Sequence, residues 1–429
     1  DINSPSSSSQ TNNYVLRFLY NEKTKMGDVT RLIVFVSILA ATTLNSEAQY
    51  LLPITKHEPT KQFYTTINIG SAAKSPVNLL LDLGTNLTWL DCRKIKSLSS
   101  LRLVTCQSST CKSIPGNGCD GKSCLYRQPN PLGKIPVVTG RVVQDSASIS
   151  TTDGGKFLSK VSVRPFTFSC AEEKHFQGLS PPVAGVMALS PGKFPFWRQV
   201  TTAFNVIPKF SLCLPSSGTG HFYIAGVHYL IPPFNGPSGH PIPMTLTPLK
   251  NIDSGNYIIS VTSIYVDGIP LSLKANLLDG GAKLSTVIPY TVLHTDIYNA
   301  LAYSFTLKAK AMGLYEAGSS GPFKDCFDLG GTDRAGAGLQ VPVIEFGLPG
   351  RAGEVKWKFH GKNTVVYVME TVVCLAFVDG GKRPNDLMLI GTHQLQDYMV
   401  EFDFSTTLLA FSDSLLLHNT SCSSWPSHK

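Results

Sequence analysis

Of the 429 residues only 15% are charged, and no run of lysine and arginine stands out even though the formal net charge is +8. Scattered basic residues give no electrostatic footprint for nucleic acid. A diffuse excess of that size suits an acidic polysaccharide or an acidic protein partner, or simply keeps the chain soluble. No Cys-x-x-Cys pair occurs and few histidines lie near the cysteines, so the ligand spacing of a structural zinc site is missing. After residue 48 no apolar run is long enough to span a bilayer. A bias toward glutamine and asparagine is also lacking, which argues against bulk storage. We expect no metal, no cofactor, no nucleic acid, no membrane span and a monomeric chain.

What is present is apolar and turn-rich. Hydrophobic residues make up 42%, with 36 glycines and 28 prolines. Short alternating segments broken by turn residues indicate a mostly β protein. The length exceeds what one small core accommodates and suits two lobes. Met26, Arg31 and the apolar stretch from Leu32 to Ala41 read as a secretory signal, with Ser46-Glu47-Ala48 as the cleavage site before Gln49. Residues 1–48 are therefore assigned to an upstream segment and signal peptide, outside the fold. All ten cysteines follow it, and an even number in an exported chain reads as five disulfides.

Gln62 to Gly70 alternates and ends in glycine, as a half-buried strand should. Val77 to Asp82 is continuously apolar and runs into Asp82-Leu83-Gly84-Thr85. Gly140 to Ile149 alternates again, and Ala184 to Leu189 reads as buried. Proline and glycine concentrate between Ile231 and Pro248, the expected linker, which sets lobes at 49–235 and 236–429. In the second lobe Tyr257 to Val266 is expected as one strand before an Asp267-Gly268 turn. Thr295 to Lys310 has the helical period, with Ile297, Leu301, Phe305 and Ala309 on one face. Leu387 to Gly391, Tyr398 to Phe404 and Leu408 to Phe411 complete the strands.

The strand–Asp-x-Gly-Thr–strand segment and the late "LMLIGTHQLQDYMVEFDFSTTLLAFSD" resemble the pepsin-like aspartic proteases. The resemblance covers Gln49 to Cys422 and implies their two-lobed, mostly β fold. The cysteine-dense stretch after "LTWLDC" is similar to the plant branch. "LLLDLGTNLTWLDC", "GGAKLSTVIPYTVLHTDIYNAL" and "FKDCFDL" narrow the likeness to an apoplastic subgroup. That subgroup contains cereal xylanase inhibitors, xyloglucan-endoglucanase inhibitors, the carrot extracellular dermal glycoprotein and basic legume-seed globulins. By this resemblance Cys213 pairs with Cys422 and Cys326 with Cys374; the remaining six cysteines are expected to pair among themselves, as Cys92–Cys170, Cys106–Cys124 and Cys111–Cys119.

An aspartic protease needs two carboxylates sharing one proton. Asp82 supplies one; the matching position in "KLSTVIPY" is Ser285, whose hydroxyl cannot complete a dyad. Val287 stands where the turn would carry glycine, Leu83 replaces the usual Thr or Ser, and Pro129-Asn130-Pro131 occupies the place of the flap. The chain is expected not to be an enzyme, with Asp82 and Ser285 vestigial. The resemblance implies instead a secreted, apoplastic inhibitor whose partner is a microbial glycoside hydrolase, an endoxylanase or a xyloglucan-specific endoglucanase. Its expected contacts are Arg334, in a glycine-rich stretch, and His418, just before Cys422. Asn86 and Asn419 begin glycosylation sequons, and a glycan at Asn419 would lie on the proposed contact surface. The alternatives are an extracellular storage or ligand-binding globulin, or a residual aspartic endopeptidase.

Overall fold

The computed structural model describes residues 49–132, 135–154, 156–226, 229, 242–250, 254–274, 276–330 and 339–424. The described residues all belong to one compact unit, Glu47–Lys429. The expected signal segment, most of the expected linker and Arg334 lie outside them.

Within a larger sheet, a run of six antiparallel strands passes through both halves. Its order is Gln49–His57, Thr219–Ile224, Lys209–Cys213, Met399–Asp403, Leu408–Ser412 and Met244–Lys250. Register across its middle is fixed by apolar pairs: Phe210 stands opposite Phe402, their rings stacked at 4.7 Å. Tyr257 packs against Phe402 at 4.5 Å and donates its hydroxyl to the Leu189 carbonyl at 2.6 Å, so a second-half side chain closes a first-half loop. These rings are fully or almost fully buried, each removing some 150–250 Å² from water.

The first half is completed by a long hairpin, Val137–Thr152 with Phe157–Ala171, and by Gln62–Ile69 paired to Ser75–Asp82. The burial of Gln62–Ile69 alternates as its sequence does. In the second half the helix Thr295–Ala311 buries Ile297, Tyr298, Leu301, Ala302, Phe305 and Ala309, the face that the 3.6 period selects. The expected strand from Tyr257 to Val266 divides instead. Ile258–Ile259 pairs with Met244–Lys250 and Ala282–Leu284, whereas Ser263–Val266 pairs with Ile344–Gly350. The chain changes sheets at Ser260-Val261-Thr262, and alternation alone does not mark such a switch. Asp267 and Gly268, at φ 48° and 76°, then form the expected turn.

All ten cysteines are paired. Cys92–Cys170, Cys213–Cys422 and Cys326–Cys374 form as expected. The local pairs differ: Cys106 joins Cys119, and Cys111 joins Cys124. Burial explains the exchange. Cys111 and Cys124 share one buried apolar cluster with Tyr126 and Ile114, while Cys119 is exposed and Cys106 half-buried beside it.

Candidate functional site

The two halves build matching loops. Ser75–Asp82 runs parallel to Gly185–Ala188, with Asp82 opposite Ala188, and the Leu189 amide donates to the Asp82 carbonyl at 2.9 Å. Ala282–Leu284 runs parallel to Met388–Ile390, with Leu284 opposite Ile390, and the Ser285 amide donates to the Ile390 carbonyl at 3.0 Å. Ser285 thus leaves its strand as Asp82 leaves its own. Gly391 lies at this crossing, where a Cβ would meet the Tyr290 backbone at 2.5 Å; only glycine fits.

The loops meet through one hydroxyl. Thr286 Oγ1 accepts from the Leu83 amide at 3.2 Å and donates to the Leu81 carbonyl at 2.8 Å. The reciprocal bond is lost because Leu83 offers no hydroxyl; its side chain is instead buried in the main core. Asp82 is 6% exposed. Its Oδ1 accepts from the Gly84 amide at 2.9 Å and its Oδ2 from the Thr85 hydroxyl. Burial raises its pKa, against the lowering effect of Thr85, Gly84 and the positive charge of Lys283. Ser285 Oγ turns to its own loop, accepting from the Val287 and Ile288 amides at 3.2 Å each.

Asp82, Thr85, Ser285, Lys283 and Val287 line a cleft of about 420 Å³. Among its described lining residues Asp82 is the one carboxylate and Lys283 the one cation. Lys283 also reaches Asp386 at 3.5 Å. A single carboxylate with no second carboxyl group has no partner with which to share a proton, and the Ser285 hydroxyl is engaged in closing a turn. The sequence reading missed Lys283. Its signal was position, two residues before Ser285 and hence on the same side of an extended segment.

Of the other expected residues that are described, Asn86 lines this cleft, whereas His418 and Asn419 are not among its lining residues. His418 is exposed at the end of a 3₁₀ turn, Leu415–His418, and Asn419 follows it at φ 53°. The segment from Leu415 to Cys422 is held to Asp397 at two points: the Leu415 amide donates to the Asp397 carbonyl at 2.8 Å, and the Cys422 amide to Asp397 Oδ1 at 3.0 Å. Cys422 is then fixed to Cys213. Asn419 is exposed; Asn86 is not, and stands in the cleft wall with its Oδ1 accepting from Ser190 at 2.8 Å. Thr88 of the same sequon is fully buried.

Comparison with known proteins places the chain in a family. Residues 63–225 match the model "Xylanase inhibitor N-terminal" and residues 256–413 match "Xylanase inhibitor C-terminal". The chain is 30% identical over 392 residues to "Probable aspartic proteinase GIP1" of Glycine max, covering 87% of this chain and 91% of that one. It is also 30% identical over 363 residues to "Gamma conglutin 1" of Prunus dulcis, covering 81% and 82%. Among solved structures, edgp superposes with a TM-score of 0.81 at 30% identity, over 88% of this chain and 97% of that one. Basic 7S globulin from soybean gives 0.75 at 23%, over 89% and 99%, which bears on the fold alone. With its two halves carrying the N-terminal and C-terminal xylanase-inhibitor domains on a pepsin-like fold, the chain belongs to this family of aspartic-protease homologues.

Proposed function

We propose that the protein is a secreted, catalytically inactive aspartic-protease homologue that inhibits microbial endoglycanases of the xylanase or xyloglucanase type. The observation that carries the reading is Ser285 standing at the counterpart of Asp82, in a cleft with one carboxylate, in a chain built of xylanase-inhibitor domains. Retaining glycosidases hold two carboxylates about 5–5.5 Å apart in an open cleft. A donor presented on a fixed projection can enter such a cleft and make charge-assisted hydrogen bonds.

The Leu415–His418 turn supports this reading physically. Its first residue and Cys422, four residues beyond its last, are both hydrogen-bonded to Asp397, and Cys422 is covalently tied, so His418 is presented at little ordering cost on binding. Arg334, which lies outside the described residues, is proposed as the second contact on the strength of its sequence setting. The protein is read as working in the apoplast as a single chain.

The test is direct. The purified mature chain is titrated into fungal xylanases and xyloglucanases, and activity should fall to completion near one equivalent for at least one of them. Digestion of denatured protein between about pH 3 and 6, where a carboxylate dyad would share its proton, should release nothing. Pepstatin-sensitive cleavage, or a full panel of unaffected endoglycanases, contradicts the reading and moves the storage or ligand-binding alternative forward.

A further inference from the structure

A larger cavity, of about 790 Å³, lies apart from the Asp82 cleft and shares none of its lining residues. Strand pairing explains why it exists. Gln49–His57 pairs with Val137–Thr152 as far as Leu51 and with Gln62–Ile69 only from Ile54, so Leu52 and Pro53 join neither ladder. Gln62–Ile69 and Val137–Thr152 pair with each other only at Asn68–Ser148 and Ile69–Ala147. The three strands thus enclose a gap, and Pro53, having no amide hydrogen, cannot donate across it.

The same pairings set the side chains around the gap, because partners across a ladder share a face. Leu51, Ser150 and Lys160 form one row. Asn68 and Ser148 form another, two residues further along and hence about 6–7 Å away. Thr66 donates its hydroxyl to Asn78 Oδ1 at 2.7 Å, whereas the side chains of Asn68, Ser148 and Ser150 make no hydrogen bond among the described residues. Half-buried Phe157 and Pro53 add apolar faces, and the His221 ring stacks on Tyr223 at 5.9 Å. Exposed Lys160 is the one lysine or arginine of the described lining, and no carboxylate opposes it there.

These walls narrow the ligand. One ammonium with no opposing carboxylate complements a single negative charge. Phe157 and Pro53 offer flat apolar contact to a ring, and the uncommitted hydroxyl and amide groups require polar partners when water leaves them. An unbroken aliphatic chain would cover Asn68 and Ser148 without pairing them, and a polyanion would meet one cation only. The volume falls within the range of small-ligand sites, about 300–1,000 Å³.

We propose that this cavity binds a small hydroxylated aromatic monocarboxylate, its carboxylate on Lys160, its ring against Phe157 and Pro53, and its ring hydroxyl between Asn68 and Ser148. His418 is not part of the lining, so the proposal and the endoglycanase reading can fail separately.

Calorimetric titration with 4-hydroxycinnamate, its methyl ester and unsubstituted cinnamate tests it, at about pH 6, where the acids are ionised. The wild-type chain should bind 4-hydroxycinnamate at least about tenfold more tightly than the ester, since only the acid makes a charge-assisted bond. Lys160→Gln should abolish that preference and leave the ester's affinity unchanged. Asn68→Leu should abolish the preference for 4-hydroxycinnamate over cinnamate. Lys160 is exposed, so its substitution should leave the unfolding midpoint unchanged and decides the outcome even where Asn68→Leu folds poorly. Absence of binding at millimolar 4-hydroxycinnamate, equal affinity of wild type for acid and ester, a preference kept by Lys160→Gln, or tighter binding of decanoate or digalacturonate would each overturn the proposal.

Discussion

Thr286 carries the contact between the two central loops, and its partners define what its removal does. Thr286→Val leaves the Leu83 amide and the Leu81 carbonyl without their shared hydroxyl in a buried setting. The expected loss is about 1–3 kcal/mol, read from denaturant unfolding, and a loss near zero would show that the loops are held otherwise. Asp82 yields a pH prediction. Its folded pKa is raised by burial, so the folded state holds the proton more tightly than the unfolded chain does. Stability from this group is therefore present below the ordinary carboxylate value near 3.9 and is lost as pH rises toward the folded value. Asp82→Asn removes that dependence. The midpoint of wild type should fall relative to Asp82→Asn as pH rises from about 4 to 7; a constant difference would show that burial does not govern the group. Asp82 and Ser285 were both legible from sequence, because "LLLDLGT" and "AKLSTV" stand in matching strand-exit contexts. Lys283 was not, since its meaning depends on strand pairings made across long stretches of chain.

The helix Thr295–Ala311 is anchored at its start by Asp379. Oδ1 accepts from the Thr295 hydroxyl at 2.7 Å and from the Gly381 amide at 2.9 Å, and Oδ2 from Lys324 Nζ. Burial raises the Asp379 pKa, but these hydrogen bonds outweigh it and hold the group down at about 2. Its contribution is thus complete above the ordinary carboxylate value and is lost as pH falls toward about 2. Asp379→Asn should cost about 1.5–3 kcal/mol at neutral pH, the usual worth of hydrogen bonds to a charged group. The deficit should shrink as the pH is lowered below about 4, and a deficit constant across that range would contradict the charge-assisted account. The helix was legible because its period and apolar face agree over four turns. The divided strand at Ile258–Ile259 and Ser263–Val266 was not, because both pieces are half-buried extended segments and only their partners differ. The local disulfides failed for a related reason: four cysteines within 19 positions allow several pairings, and burial, not spacing, selects among them.

At the scale of the whole molecule, the shared run of six strands and the Cys213–Cys422 bond tie the two halves together. That bond closes a separation of 209 residues. Replacing both cysteines by serine should lower stability by about 2–5 kcal/mol. It should also loosen the Leu415–His418 turn, so inhibition should weaken before the fold is lost. Unchanged inhibition at reduced stability would detach the turn from the proposed contact. The sequon at Asn419 belongs to the same surface. Asn419→Gln should inhibit at least as well as the parent, because any glycan there would crowd the turn.

The mostly β character was readable from strand alternation and two lobes from chain length, whereas the pepsin-like fold was readable only by resemblance. The proposed partner surface rests on resemblance alone, since exposed loop residues carry no periodicity. The most direct measurement is therefore the inhibition constant against a sensitive xylanase or xyloglucanase for the parent, Arg334→Ala, His418→Ala and the double variant. The account predicts that at least one single variant weakens inhibition tenfold or more, about 1.4 kcal/mol, and that the double variant is weakest, with all four chains unfolding at the same midpoint. Four equal inhibition constants would contradict it.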